Sequence, residues 1–268
     1  MRNEEVPIRA RLLGSGTSTG VPVIGCTCRV CTSSNPCDRR LRCSCYVEVG
    51  RLRLLIDAGP DFRYQAIREN IGRIDAVLIT HHHFDHVAGL DDLRPFLFQN
   101  RAPIPCYAPE STVRVLRNTF GYIFKDAHYP GVPRLSLRAV DGPFEVTSRD
   151  GDEASVTVVP VPALHGELDV LGYRIGKFAY VTDVSSIQDA SLPLLEDLDI
   201  LVLDALRHEP HPMHLSIDEA VDVARRIGAT NTYFIHMTHS VLHEEVDAQL
   251  TDGIALGYDG LTVRARSR

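Results

Sequence analysis

The stretch His81-His82-His83-Phe84-Asp85-His86 sets three imidazoles and a carboxylate in an H-x-H-x-D-H pattern. Just before it runs Ile74-Asp75-Ala76-Val77-Leu78-Ile79, an apolar segment of strand length. The cluster is therefore expected where a buried strand emerges into a loop. His81 and His83 alternate at extended spacing, so both rings can face one side. Imidazole suits zinc, manganese and iron, and carboxylate oxygen suits the harder ions among them. Two imidazoles, a carboxylate and a third imidazole can hold two ions close together. A histidine tag would lie at a terminus and repeat one residue; this cluster is internal and includes an aspartate.

A second constellation, Cys26-Thr27-Cys28-Arg29-Val30-Cys31, reads C-x-C-x-x-C and follows the glycine-rich run Gly14 to Gly20. Three thiols this close suggest one tetrahedral zinc, which needs a fourth donor. The chain has seven cysteines, an odd number. Its start, Met1-Arg2-Asn3-Glu4-Glu5, lacks the apolar segment of a signal peptide, so a cytoplasmic location is expected. A cytosolic cysteine cluster binds metal more often than it forms disulfides. Spacing leaves the fourth donor open among Cys37, Cys43, Cys45 and a distant histidine.

The H-x-H-x-D-H motif resembles that of the metallo-β-lactamase superfamily of metallohydrolases, and the resemblance spans about Leu12 to Gly260. It implies further donors at later strand ends. His165 follows the apolar run Val156 to Val161, Asp183 ends Ala179-Tyr180-Val181-Thr182-Asp183, and His236 ends Thr232-Tyr233-Phe234-Ile235-His236. By resemblance one ion takes His81, His83 and His165, the other takes Asp85, His86 and His236, and Asp183 bridges them. Asp57, ending Leu54-Leu55-Ile56-Asp57, is expected to support a ligand histidine from behind.

The glycine loop, the cysteine triplet and His236-Met237-Thr238-His239 together resemble the phosphodiesterases of the carbon–phosphorus lyase pathway. That resemblance implies His239 as the fourth donor of the cysteine site, with Cys43 next because Cys43-Ser44-Cys45 carries an extra thiol. It also singles out His214, in Pro212-Met213-His214-Leu215-Ser216, for phosphate contact and leaving-group protonation. Ser216 with Glu219 reads as a capping box, so His214 lies just ahead of a helix. The implied activity is hydrolysis of a small cyclic phosphodiester, a phosphoribosyl cyclic phosphate. A hydroxide formed between two divalent ions (zinc, manganese or iron) would attack, oriented by Asp85, with His214 as general acid and one further structural zinc. The same cysteines also resemble the pyrroloquinoline quinone B protein, an iron-dependent oxygenase or carrier. A lactonase and a tRNA-processing endonuclease share the histidine motif, but the interval 101–154 lacks the glycine- and lysine-rich arm of the endonuclease.

The remaining features bound this reading. A formal charge of −7 disfavours nucleic acid as a partner and leaves a small-molecule phosphodiester. No apolar run reaches the roughly 20 residues that span a bilayer. A homodimer is compatible with the sequence, which does not set the oligomeric state. Arg39-Arg40-Leu41-Arg42 reads as a solvated turn. Strands are expected over 8–13, 45–49, 53–56, 76–80, 104–107, 135–140, 155–161, 172–175, 178–182, 200–203, 232–235 and 261–264. Helices are expected over 61–70, 89–98, 110–119, 191–196, 217–227 and 241–250, and a loop near the site mouth over 120–133. This alternation gives the α/β class. The resemblance adds the αββα sandwich, two mixed β-sheets flanked by helices, as one domain over 1–268 with a cysteine-rich zinc-binding loop at 25–45.

Overall fold

In β3 (Leu52–Ile56), Leu54 and Ile56 face one core and Leu55 faces another; in β4 (Ala76–Leu78), Ala76 and Leu78 face the first core and Val77 the second. The same period of two recurs in β10 (Phe178–Val181) and β11 (Ile200–Asp204). There Phe178, Tyr180, Ile200 and Val202 join the first core, while Ala179, Val181, Leu201 and Leu203 join a third. Side chains alternate across a strand, so strands that are apolar at every position must be covered on both faces. Two sheets pressed together, each with helices outside, satisfy that demand.

The computed structural model describes residues 6–98, 102–124, 132–150, 154–251 and 253–268. Within them, the first sheet runs β14-β1-β2-β3-β4-β5-β6, with β1 (Ile8–Gly14), β2 (Ser44–Val49), β5 (Ile104–Ala108), β6 (Leu135–Ala139) and β14 (Thr262–Ala265). The second runs β13-β12-β11-β10-β9-β8-β7, with β7 (Phe144–Thr147), β8 (Ser155–His165), β9 (Leu168–Ile175), β12 (Asn231–Ile235) and β13 (Ile254–Leu256). Each sheet is antiparallel in one half and parallel in the other: β3 to β6 and β10 to β13 pair in parallel. The first sheet's outer face is covered by α1 (Phe62–Arg68), α2 (Phe84–Val87) and α3 (Glu110–Thr119). The second is covered by α4 (Ile217–Ile227), which buries Ala220 and Ala224. The expected αββα sandwich of mixed sheets is thus observed.

Several local expectations are corrected. The segments expected as helices over 89–98 and 191–196 are 3₁₀ turns, Leu90–Leu97 and Asp189–Leu195, each containing a proline that α-helical pairing would not tolerate. The helix expected over 241–250 is confined to His243–Asp247. Strands β7 and β13 were not expected; both are short and lie at the sheet edge. β8 does not stop at Val161 but continues through His165, which pairs with Leu168 across a tight turn containing Gly166 at φ +60°. Of the loop expected over 120–133, residues 125–131 lie outside the described residues, while Gly121–Phe124 form a helical turn. Among the described residues, no helix is long and apolar enough to cross a membrane.

Candidate metal centre

The parallel halves of both sheets end at the same edge of the sandwich, and the chemistry-bearing side chains collect there, as expected outside the carboxyl ends of strands. Asp57 follows β3, the histidine run follows β4, His165 ends β8, Asp183 follows β10, Asp204 ends β11 and His236 follows β12. Asp57, Asp183 and His236 each adopt a left-handed backbone, at φ of +59°, +55° and +65°. Non-glycine residues adopt this conformation at a cost and hold it only where surrounding structure over-determines it. Here the turn falls just past each strand, at the residues that themselves join or support the cluster.

Two groups of donors result. His81, His83 and His165 bring one ring nitrogen each within 4.8 Å of one another, and so do the donor atoms of Asp85, His86, Asp183 and His236. His81 Nδ1 lies 3.0 Å from Thr80 Oγ1, and His165 Nδ1 donates to the Met213 carbonyl at 2.7 Å. Each ring therefore presents its Nε2, the arrangement seen when an outer partner fixes a ligand histidine. His86 Nδ1 meets Asp57 Oδ2 at 2.7 Å, and Asp57 is itself held by the Thr80 amide and hydroxyl, each at 2.8 Å. Asp57 thus occupies the supporting position expected of it.

The donors fit bound cations. His81, His86 and His236 each bury an Nε2 that has no hydrogen-bond partner. His86 Nε2 stands 3.2 Å from Asp183 Oδ2 and 3.3 Å from Asp85 Oδ2, and His236 Nε2 stands 3.1 Å from Asp183 Oδ1. Ligands bound about 2.1 Å from a tetrahedral zinc stand roughly 3.4 Å apart, so these unaligned contacts have the lengths of coordination edges. Electrostatics agrees. Burial opposes charge on His86 and His236, but the Asp183 carboxylate, joined by Asp57 at His86 and by Asp85 at His236, raises both rings above the ordinary histidine value. Burial opposes charge on Asp183 as well, yet His236 and His86 hold its carboxyl well below the usual range. Such a cluster gathers positive charge, as protons or as metal. Burial, with His86 beside it, keeps His81 neutral and ready to ligate.

His214 lies between the groups. Its ring is 4.6 Å from that of His165 and stacks on that of His236 at 4.7 Å. The capping box is present, with the Ser216 amide donating to Glu219 Oε2 at 2.8 Å and the Glu219 amide donating to Ser216 Oγ at 3.3 Å. Asp204 is the functional residue the sequence reading missed. Fully buried, its carboxylate stands 3.3 Å from His214 Nδ1 and 3.4 Å from His236 Nδ1, neither aligned as a hydrogen bond. The signal was available, since Ile200-Leu201-Val202-Leu203-Asp204 is an apolar strand ending in aspartate, like those ending at Asp57 and Asp183.

The cysteine cluster forms separately. His239 Nδ1 lies 3.2, 3.4 and 3.6 Å from the sulfurs of Cys26, Cys28 and Cys31. Zinc bonds of about 2.3 Å to sulfur and 2.0 Å to nitrogen in a tetrahedron separate such atoms by roughly 3.5 Å. Cys43 and Cys45 are buried in the core between the sheets, so the geometry favours His239 as the fourth donor. Arg40 is not in a solvated turn. Its guanidinium is wholly buried against Asp38, because the chain there folds under the loop that carries His239.

Comparison with known proteins matches this architecture. Residues 52–237 match the family described as a beta-lactamase superfamily domain. A crystal structure of a new diphosphatase from the PhnP family resembles the chain with a TM-score of 0.88 and 46% identity, covering 97% of this chain and 98% of that one. An octanoyltransferase of Porphyromonas gingivalis strain W83 is 42% identical over 95% of this chain, which spans about half, 51%, of that protein's length. Zn(2+)-bound PqqB from Methylobacterium extorquens shares the fold, with a TM-score of 0.73 at 20% identity over 95% of this chain and 99% of that one. The first match covers well over half of the chain and the second aligns at 46% identity; the chain belongs to the β-lactamase superfamily and, within it, to the PhnP family, with the fold and donor set of a metal-dependent hydrolase.

Proposed function

We propose that the site hydrolyses a small phosphodiester, with a cyclic ribose phosphate as the leading substrate. The observation that carries this reading is His214, held between the two donor groups by stacking on His236 and by the Asp204 carboxylate. Divalent ions bound by His81, His83 and His165, and by Asp85, His86 and His236 with Asp183 between, would acidify a water and offset charge on the phosphoryl oxygens. The chain's own residues divide the remaining work. Asp85 is 13% exposed, against 3% or less for His86, Asp183 and His236, so it is the carboxylate that reaches an attacking water and orients it. His214 reaches solvent too, at 10%. With Nδ1 turned to Asp204, its Nε2 is free to give a proton to the departing ester oxygen. Poorly aligned contacts of this kind tighten once substrate is bound.

A second reading is cleavage of a diphosphate bond, supported by the 46% identical PhnP-family diphosphatase. Both substrates need the same in-line attack and differ in the leaving group, an alkoxide in one and a phosphate in the other. A cofactor-biosynthesis role like that of the quinone B proteins is the remaining contrast, supported by 27% identity to one from a Methylobacterium strain over 96% of the chain. The name of the octanoyltransferase belongs to a protein twice as long and is not carried over. The test is turnover of cyclic ribose phosphates, diphosphate esters, bis-p-nitrophenyl phosphate and lactones, with metal content measured alongside. Cyclic phosphates should be cleaved fastest. Preference for diphosphates would move the reading to the second substrate, and iron with no phosphodiesterase activity would overturn it.

A further inference from the structure

His236 and His239 are three residues apart in the chain, yet one serves the carboxylate-rich group and the other the cysteine cluster. The backbone between them has no slack. Met237 is fully buried; its amide donates to the Ser15 carbonyl at 3.1 Å and its carbonyl accepts from the Thr17 amide at 3.2 Å. The Thr238 amide donates to the Leu206 carbonyl at 3.0 Å. The Thr238 carbonyl accepts from Arg40 Nη1 at 2.9 Å, and Arg40 Nη2 donates to the Val241 carbonyl at 2.7 Å. Arg40 also donates from Nε to the Cys37 carbonyl and pairs with Asp38 Oδ1, both at 3.2 Å. Asp38 in turn accepts from the His243 amide at 2.8 Å and from Ser33 Oγ at 2.7 Å. One buried guanidinium therefore ties the chain just after the cysteine triplet to both sides of His239. His236, at φ +65°, needs such over-determination to stay where it is. The triad His81, His83 and His165 has different anchors, Thr80 and the Met213 carbonyl.

We propose that the Arg40–Asp38 pair, together with the cysteine–His239 cluster, positions His236 and so sets the affinity of one metal position only, the one formed by Asp85, His86 and His236. The inference rests on reading these groups as metal positions, not on the substrate. Arg40 and Asp38 are positioning residues, and the cysteine cluster is more than a staple. It fixes the far end of a four-residue strut whose near end is a ligand.

The test measures metal content and affinity of the loaded protein by chelator competition. Arg40→Gln should weaken one catalytic ion by about 10–100-fold, the usual effect of losing a ligand's outer support, and leave the other unchanged. In the cobalt-loaded form the thiolate-to-metal absorption should persist, reporting an occupied cysteine site. Combined with His236→Ala the substitution should add nothing, and combined with His83→Ala it should add fully. Equal weakening of both catalytic ions, or no weakening, overturns the proposal. Arg40→Gln alone leaves Asp38 buried without a counter-charge, so the Asp38→Asn, Arg40→Gln double variant is measured beside it. In the wild-type protein, stripping the cysteine-bound metal with p-hydroxymercuribenzoate should speed the loss of one catalytic ion. Catalytic ions that stay bound equally tightly after stripping would refute the coupling. Because the readout is metal, a protein that shows this pattern but hydrolyses no phosphodiester rejects only the substrate reading.

Discussion

Three of the four donors in the cysteine cluster come from one six-residue loop and remain half-buried, whereas the two histidine–aspartate donor groups draw on four strand ends and are largely buried. The first arrangement is local: sulfur and imidazole close around a point and leave no position open. The second is global, and Asp85 and His214 stay within reach of solvent. A closed tetrahedral site contributes to folding, while an open one is free to act on a substrate. The contrast also explains why strained backbone gathers at one centre: Asp57, Asp183 and His236 are left-handed, and none of the cysteines is.

The most damaging single change should be Asp183→Ala, which removes the carboxylate that lies between the donor groups. Hydrolysis should fall to background and metal content should drop, while thermal melting still shows a cooperative fold stapled by the cysteine site. Near wild-type turnover would show that Asp183 does not bridge. Next comes His214→Ala, expected to lower turnover by roughly 10²–10⁴-fold, the range for a general acid, with both catalytic ions retained. The loss should be smaller with a p-nitrophenolate leaving group, which hardly needs a proton, than with a ribose alkoxide. Equal losses would limit His214 to binding phosphate. Cys26→Ser acts on the other side of the comparison. It should release one zinc and lower the melting temperature by several degrees, each kcal/mol being worth about 2–4 °C in a chain of this size. An unchanged melt would remove the structural role.

The smallest effect distinguishes the clusters by sign. In the metal-free protein, burial opposes charge on His86 but Asp183 and Asp57 outweigh it and raise its pKa well above 6.5. The stability it supplies is complete below 6.5 and is lost as pH rises through the raised value. Cys28 runs the other way. The Cys31 amide, pointing at its sulfur, leads in lowering its pKa from 9.0 to about 6. Its contribution is present above 9.0 and is lost as pH falls through about 6. Between pH 6.5 and 9.0, the destabilisation caused by His86→Ala should therefore shrink with rising pH, and that caused by Cys28→Ala should grow. Melts in excess chelator check this; parallel trends would erase the distinction.

Much of this was readable from the chain because the signals are local. The histidine run, the cysteine triplet and the Ser216 capping box each sit within ten residues of one another's members, and an apolar strand announces each donor that follows it. Asp204 carried the same strand-end signal as Asp183 but no motif pointed to it, since its role exists only through His214 and His236. Arg40 was misread for a related reason. An arginine in a polar loop looks solvated unless Asp38, the Thr238 carbonyl and the Val241 carbonyl are known to surround it, and two of those are some two hundred positions away. β7 and β13 were missed because three- and four-residue edge strands carry too short a pattern to stand out.

The order in which the donors leave the ribosome has its own consequence. The cysteine triplet emerges before His81 to His86, and after His86 about 150 residues must follow before His236 appears. At synthesis rates of roughly 5–20 residues per second, that interval lasts on the order of 8–30 s. Throughout it the nascent chain displays a histidine-rich half-site without its bridging carboxylate for most of the time, and a cysteine triplet without its fourth donor for all of it. A complete donor set for either cluster therefore exists only once His236 to His239 have emerged, and an ion captured earlier gains its remaining ligands when the second sheet docks.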